Sequence, residues 1–151
     1  MNKVGVNGLD LAPLLATLNI TALITGTGSA GLIKNGDGLL QLSAQNTFPG
    51  GVTVNVGGLI IGGSSTPSTV GSTLTSGPLG TGTLTMAPNT RLISTAANTL
   101  ANQVIFNGDI TFDGIPNLAL NGMTTLGSAT TNITVAVPSM IATLGGKFTN
   151  T

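Results

Sequence analysis

The stretch GLIKNGDGLLQLSAQNTFPGGVTVNVGGLIIG, residues 31–62, decides how this chain is read. It holds three short apolar alternations: Leu40 and Leu42 around Gln41, Val52 and Val54 around Thr53, and Leu59 and Ile61 around Ile60. Alternation at period two places each pair on one face of a short strand. Between them stand Asn35-Gly36, Asp37-Gly38, Pro49-Gly50-Gly51 and Gly57-Gly58. These residues fix φ, or let it turn positive, where the chain must change direction. Three strands and three corners in so short a run outline one coil of a β-solenoid. Ordinary hairpins of a β-sandwich are the alternative, although sandwich strands usually run longer, about 5–6 residues.

The same residues carry a family resemblance. Gly31-Leu-Ile-Lys-Asn-Gly-Asp-Gly38, Leu40-Gln-Leu-Ser43, Asn46-Thr-Phe48, Gly50-Gly51 and Gly58-Leu-Ile-Ile-Gly62 follow one another in fixed order. In that order they resemble the autotransporter-associated β-strand repeat, also called the passenger-associated transport repeat. GPLGTGTLTM (77–86) and NTLANQVIFNGDITF (98–112) resemble the looser sequence that follows such repeats. The resemblance implies an all-β chain, a right-handed parallel β-helix with short glycine-punctuated strands, on a secreted or surface protein of a bacterium. Members of the family are mostly stalks, adhesins and exported passengers. The repeat has no catalytic residues to carry over.

Composition points the same way. The 151 residues are one domain's worth of chain, 40% hydrophobic, with 5% charged and 3% aromatic residues. Ordinary soluble domains carry about 25% charged residues, so few side chains are available to solvate helix faces. Thr, Ser and Asn must cover the exterior, and they suit a β surface. The formal net charge is zero, which argues against nucleic acid and against an anionic membrane surface. It also removes the repulsion that keeps copies apart. Cysteine is absent, which fits a secreted solenoid and a cytosolic protein equally.

The first thirty residues are the hardest to place and are set apart as a possible cap or docking element, with the solenoid running over 31–151. The apolar run from Leu9 to Ile24 is broken by Asp10, Pro13 and Asn19, which spoils a signal-peptide core. An exported protein would then have its signal removed or on a longer precursor. No run approaches the roughly 18 apolar residues of a membrane span, so membrane insertion is not expected. Asp10 can cap a single helical turn, or the segment is extended. Leu18 to Ile24 reads as a strand, and the polar stretch at about 63–73 as a loop bulging from a corner rather than a linker.

Further alternations follow: Leu84 and Met86, Val104 and Phe106, Ile110 and Phe112, Leu118 and Leu120, and Ile133, Val135 and Val137. All of these, with the pairs of the central stretch, are expected to point inward. The pairs at 40/42, 59/61, 84/86 and 104/106 recur at about the spacing of solenoid coils. A longer echo also appears. Leu18-Asn-Ile-Thr-Ala22 returns as Thr131-Asn-Ile-Thr-Val135, and Gly31-Leu-Ile-Lys-Asn35 returns, blurred, as Gly146-Lys-Phe-Thr-Asn150. Either the chain is a piece of a longer array, or one copy is completed by the next.

There is little chemistry to weigh. Four Asp, three Lys and one Arg are the whole ionisable set, with no His, Cys or Glu. Asp109 and Asp113 share strand parity, so they read either as a carboxylate pair for hydrolysis or Ca²⁺ or as solvent-facing turn residues. Asp37 reads as a turn cap or a metal ligand, and Lys34 as decoration of a turn. Asn19-Ile-Thr21 and Asn132-Ile-Thr134 match the glycosylation acceptor pattern, here read as coincident strand sequence. No enzyme activity, cofactor or metal is expected.

Two kinds of function remain: a structural or interaction protein, and an ice-binding solenoid. The first is a stalk or filament subunit stacking head-to-tail on copies of itself, or an autotransporter passenger or adhesin meeting a host or matrix surface. Thr81, Thr83 and Thr85 share a strand face, but ice binding asks for a Thr ladder that returns at constant interval. A polysaccharide-cleaving β-helix would need clustered charge that the chain lacks. For stacking, the candidate edge residues are Leu11, Leu14, Leu15 and Ile20 at one end, and Ile141, Leu144 and Phe148 at the other.

Overall fold

The computed structural model describes residues 16–150, and within them every regular element is a strand. The strands are three to five residues long. They stack in parallel as a β-solenoid of about seven turns. Three faces are formed. The first stacks β1 (Thr17–Ile20), β3 (Leu39–Leu42), β5 (Gly58–Ile61), β7 (Thr90–Ser94), β10 (Ile110–Gly114) and β13 (Ile133–Val135). The second stacks β2 (Leu32–Lys34), β4 (Val52–Val54), β6 (Leu84–Met86), β9 (Val104–Phe106), β12 (Thr124–Leu126) and β15 (Phe148–Asn150). The third has β8 (Asn98–Leu100), β11 (Leu118–Leu120) and β14 (Ala142–Leu144). The chain runs from second face to first to third and back.

One coil is therefore about twenty residues, Leu32 pairing with Val52 and Val104 with Thr124. This changes the reading of the central stretch. Leu59 and Ile61 do not form a third side of the coil begun by Leu40 and Leu42; β5 lies directly on β3 as the next rung of the same face. Likewise the pairs at 40/42 and 59/61 lie on the first face, and those at 84/86 and 104/106 on the second.

Corners are sharp because their residues permit it. Gly51 has φ +72, and a Cβ there would strike the Thr83 carbonyl of the next rung. Gly57, at φ +79, would strike the Gly38 carbonyl below. Where the corner has no glycine, Asn89 takes a positive φ of 63, which Asn tolerates better than other side chains.

The interior is a set of files, one residue per rung. Leu40, Leu59, Leu92 and Phe112 make one, and Val54, Met86 and Phe106 another. Phe106 and Phe112 meet edge to face with centroids 6.1 Å apart. From Leu40 to Leu120 each residue expected inside is buried. Ile133 and Val135 are the exceptions, 41% and 45% exposed, and Val137 is half-buried. They point inward, but β13 is the last strand of its face, with no rung above it among the described residues.

The third face is regular only from β8 onward. Earlier, Ser43–Phe48 and the segment between β5 and β6 cover it without strands. Asn46, 1% exposed, holds this part together: its side-chain oxygen accepts from the Ile24 N–H (2.8 Å) and its amide donates to the Pro78 carbonyl (2.8 Å). Asn102 does the same two rungs on, donating to the Gly80 and Gly82 carbonyls of the rung between them and accepting from Ser65 Oγ.

Candidate functional site

Among the described residues, the rungs end in two surfaces that no further rung covers. At the carboxyl-terminal side these are β13, β14 and β15; at the amino-terminal side, β1 and β2. The N–H groups on a parallel strand point alternately to the neighbour on either side, and here the alternation follows one rule along the strands, the corner residue Asn89 apart. Inward-row residues donate to the rung that follows: Val52 to Thr83, Val104 to Met123, Leu118 to Ile141, Thr124 to Lys147. Residues of the outward parity donate to the rung before: Asn55 to Lys34, Arg91 to Gly57, Asn107 to Met86, Gly145 to Leu120. By the same parity, the N–H groups of Ile133, Val135, Ala142, Leu144 and Phe148 face away from the last rung. At the other end those of Thr17, Asn19 and Ile33 do so. The two edges are complementary, each presenting what an internal rung presents to its neighbour.

Most inward side chains at these edges are apolar. Leu18 is 62% exposed although it continues the file of Leu40 and Leu59, and Phe148 is 47% exposed although it continues that of Val104 and Thr124. Among the candidates named from sequence, Ile20 is half-buried in β1, and Leu144 half-buried in β14. Ile141 has an exposed side chain, but its N–H already donates to Asn117 Oδ1 (2.9 Å) and its carbonyl accepts from Leu118. Leu11, Leu14 and Leu15 lie outside the described residues. The echoed segments fall on the outermost strands of the same faces, β1 with β13 and β2 with β15. They are offset in register, since Phe148 lies in the file of Leu32 rather than Ile33.

The charged residues do not converge. Asp109 accepts from the Asn132 N–H (2.8 Å) and side-chain amide (2.9 Å), and the side-chain bond above all holds its carboxyl below the ordinary range. Asp113 pairs with Arg91 and accepts from the Gly114 N–H. Its partial burial raises its pKa, but the Arg91 and Gly114 bonds outweigh that and leave it lowered. The two carboxylates thus serve separate partners, and the structure does not join them as a pair. Asp37 is exposed at its corner. Lys34 donates to the carbonyls of Asn35 (3.1 Å), Gly36 (2.6 Å) and Val56 (3.2 Å), tying two successive corners.

The outward middle file of the second face reads Ile33, Thr53, Thr85, Ile105, Thr125, Thr149. Threonine recurs there, with isoleucine interrupting at two rungs. A shallow cleft of about 330 Å³ is lined by Ser72, Thr81, Asn102 and Gln103 among others. The Asn102 amide is committed to Gly80 and Gly82 rather than aimed into it.

Comparison of this chain with known protein families, with curated proteins and with solved structures finds no match.

Proposed function

We propose that this chain is a structural β-solenoid of the extracellular space or cell surface of a bacterium, a stalk or filament subunit whose rungs continue head-to-tail from copy to copy. One observation carries this reading: the two ends offer complementary backbone groups and exposed apolar files. A rung laid on the last one satisfies the edge donors and buries Ile133, Val135 and Phe148 by the same contacts that bury Ile110, Phe112 and Thr124 inside. Exposed edges of this kind invite pairing unless charge, proline or a cap blocks them. Because the ends differ, the contact is heterologous and propagates instead of closing into a dimer.

The resemblance at 31–62 favours a second arrangement, in which the neighbouring rungs belong to the same long polypeptide, as in an autotransporter passenger or adhesin. Electron microscopy of the purified chain separates them. The first arrangement gives unbranched fibres with a repeat of about 4.8 Å along the axis; the second leaves short single particles. Ice binding is disfavoured by the isoleucines that interrupt the threonine file, and thermal hysteresis in the purified protein would reinstate it.

A further inference from the structure

We propose that the corner at Asn35-Gly36 is a self-modifying site, where Asn35 deamidates through a cyclic imide with the help of Lys34 and Asn55. This goes beyond the structural reading and does not depend on stacking.

The Gly36 nitrogen, once its proton has passed to hydroxide, attacks Asn35 Cγ. The side-chain nitrogen leaves as ammonia and the imide closes. Water then opens one of the two imide carbonyls, giving aspartate or isoaspartate. Negative charge gathers at two oxygens along the way: the Asn35 main-chain carbonyl when the Gly36 N–H is lost, and Asn35 Oδ1 when Cγ turns tetrahedral. The structure sets a donor on each. Lys34 Nζ donates to the Asn35 carbonyl (3.1 Å), held in place by further bonds to the carbonyls of Gly36 (2.6 Å) and Val56 (3.2 Å). Asn55 Nδ2 donates to Asn35 Oδ1 (2.9 Å). Donors already placed where charge develops lower the barrier without reorganising during the reaction. The Gly36 N–H and Asn35 Nδ2, nucleophile and leaving group, have no partner among the described residues. Both residues are exposed, and nothing lies within 4 Å of where a Gly36 Cβ would stand, so the corner has room to close. The product carries a carboxylate beside Lys34 and, as isoaspartate, an extra main-chain methylene between β2 and β3.

The sequence holds the same pair at Asn7-Gly8, outside the described residues, and at Asn107-Gly108 and Asn121-Gly122. The last two also stand at corners but lack what surrounds Asn35. No ammonium meets the main-chain carbonyl of Asn107 or Asn121 among the described residues. Gly108 is buried, and a Cβ there would press on Pro88. Asn121 commits its leaving nitrogen to the Ser68 carbonyl (2.7 Å), and a Cβ at Gly122 would strike the Asn102 carbonyl. One dipeptide thus occurs in three described settings, and only that of Asn35 combines freedom to close with donors on both charged oxygens.

The test is to hold the dilute full chain in mildly alkaline buffer and follow, by peptide mass mapping, the exchange of amide for acid at each pair. Rates are referred to those of the same pairs in urea. On that scale Asn35 should run at least about tenfold ahead of Asn107 and Asn121, a difference of about 1.4 kcal/mol in barrier. Either of the two keeping pace with Asn35 overturns the site. Lys34→Gln should slow Asn35 roughly five- to tenfold, the scale of one charge acting through water at hydrogen-bond distance, whereas Lys34→Arg should keep most of the rate. Asn55→Ala should slow it roughly fivefold. A role confined to holding the corner predicts the opposite sign, because a loosened corner closes the imide more readily. An unchanged or faster rate in Lys34→Gln or Asn55→Ala therefore overturns the assistance assigned to that residue.

Discussion

Ile110 and Ile133 are register partners on adjacent strands of the first face, with the same side chain pointing the same way. Ile110 is 1% exposed and Ile133 is 41% exposed. Phe112 and Val135, the next partners inward, differ as sharply, at 1% and 45%. The difference lies in the rung above, which covers β10 and which, among the described residues, β13 does not have. In a solenoid a residue contributes to stability only to the extent that a neighbouring rung closes over it. End rungs therefore hold unrealised burial, and the middle rungs show what it would be worth.

The largest expected contrast is between truncations at these two places. Phe106→Ala should cost about 3–5 kcal/mol, because it empties a fully covered site. Val135→Ala in dispersed protein should cost less than about 1 kcal/mol, since much of its surface is already in water. Urea unfolding of dilute protein checks both; equal losses would mean that the last rung is already covered. Asn46→Ala comes next. It strips partners from the Ile24 N–H and the Pro78 carbonyl, each worth about 1–3 kcal/mol when left unsatisfied. The melting temperature should fall and exchange at the Ile24 amide should rise.

A smaller gain is expected from Thr124→Val. Thr124 Oγ1 is buried in the interior without a hydrogen-bond partner, so an isosteric methyl should stabilise by about 1 kcal/mol, read from the urea midpoint. The smallest effect is that of pH. Asp109 and Asp113 both have lowered pKa values in the folded chain. The stability they add is complete above the ordinary carboxylate range, near about pH 4, and is lost as pH falls through their folded values. Asp109 fastens the start of β13 through Asn132, so acid should loosen the last rung first. Thermal melts from neutral pH downward should fall less steeply for Asp109→Asn than for wild type.

Much of this fold was legible because strand residues alternate and solenoid corners need glycine. Leu40 through Leu120 could be placed inward from period two alone. Phe48 and Leu79 are as deeply buried but lie on the third face where no strand forms, so no alternation marks them. Leu92 and Leu100 fell in strands whose rhythm is blurred, Leu92 followed by Ile93 and Leu100 preceded by Thr99 and the inward Asn98. Ile60 and Ile93 are outward partners yet buried, apart from the interior cluster. Nothing in the alternation signals that. At the edges, sequence pointed to Ile141, Leu144 and Phe148 alike; that the Ile141 backbone is already engaged while the N–H groups of Leu144 and Phe148 are open depends on strand parity. That parity follows from which way the neighbouring rung lies, a fact that composition and spacing do not carry.

The central claim is that the last rung waits for another, and amide hydrogen exchange tests it most directly. The N–H groups of Ile133, Val135, Ala142, Leu144 and Phe148 should exchange freely in dilute protein and become protected as concentration rises. Those of Val104 and Leu118, already bonded to the following rung, should stay protected throughout. Ala142→Pro removes one of the open donors at a small, half-buried residue of the last rung, and should hold the other four in the unprotected state at high concentration. Protection of all five that does not change with concentration, or exchange that stays fast when the protein is concentrated, would contradict the account.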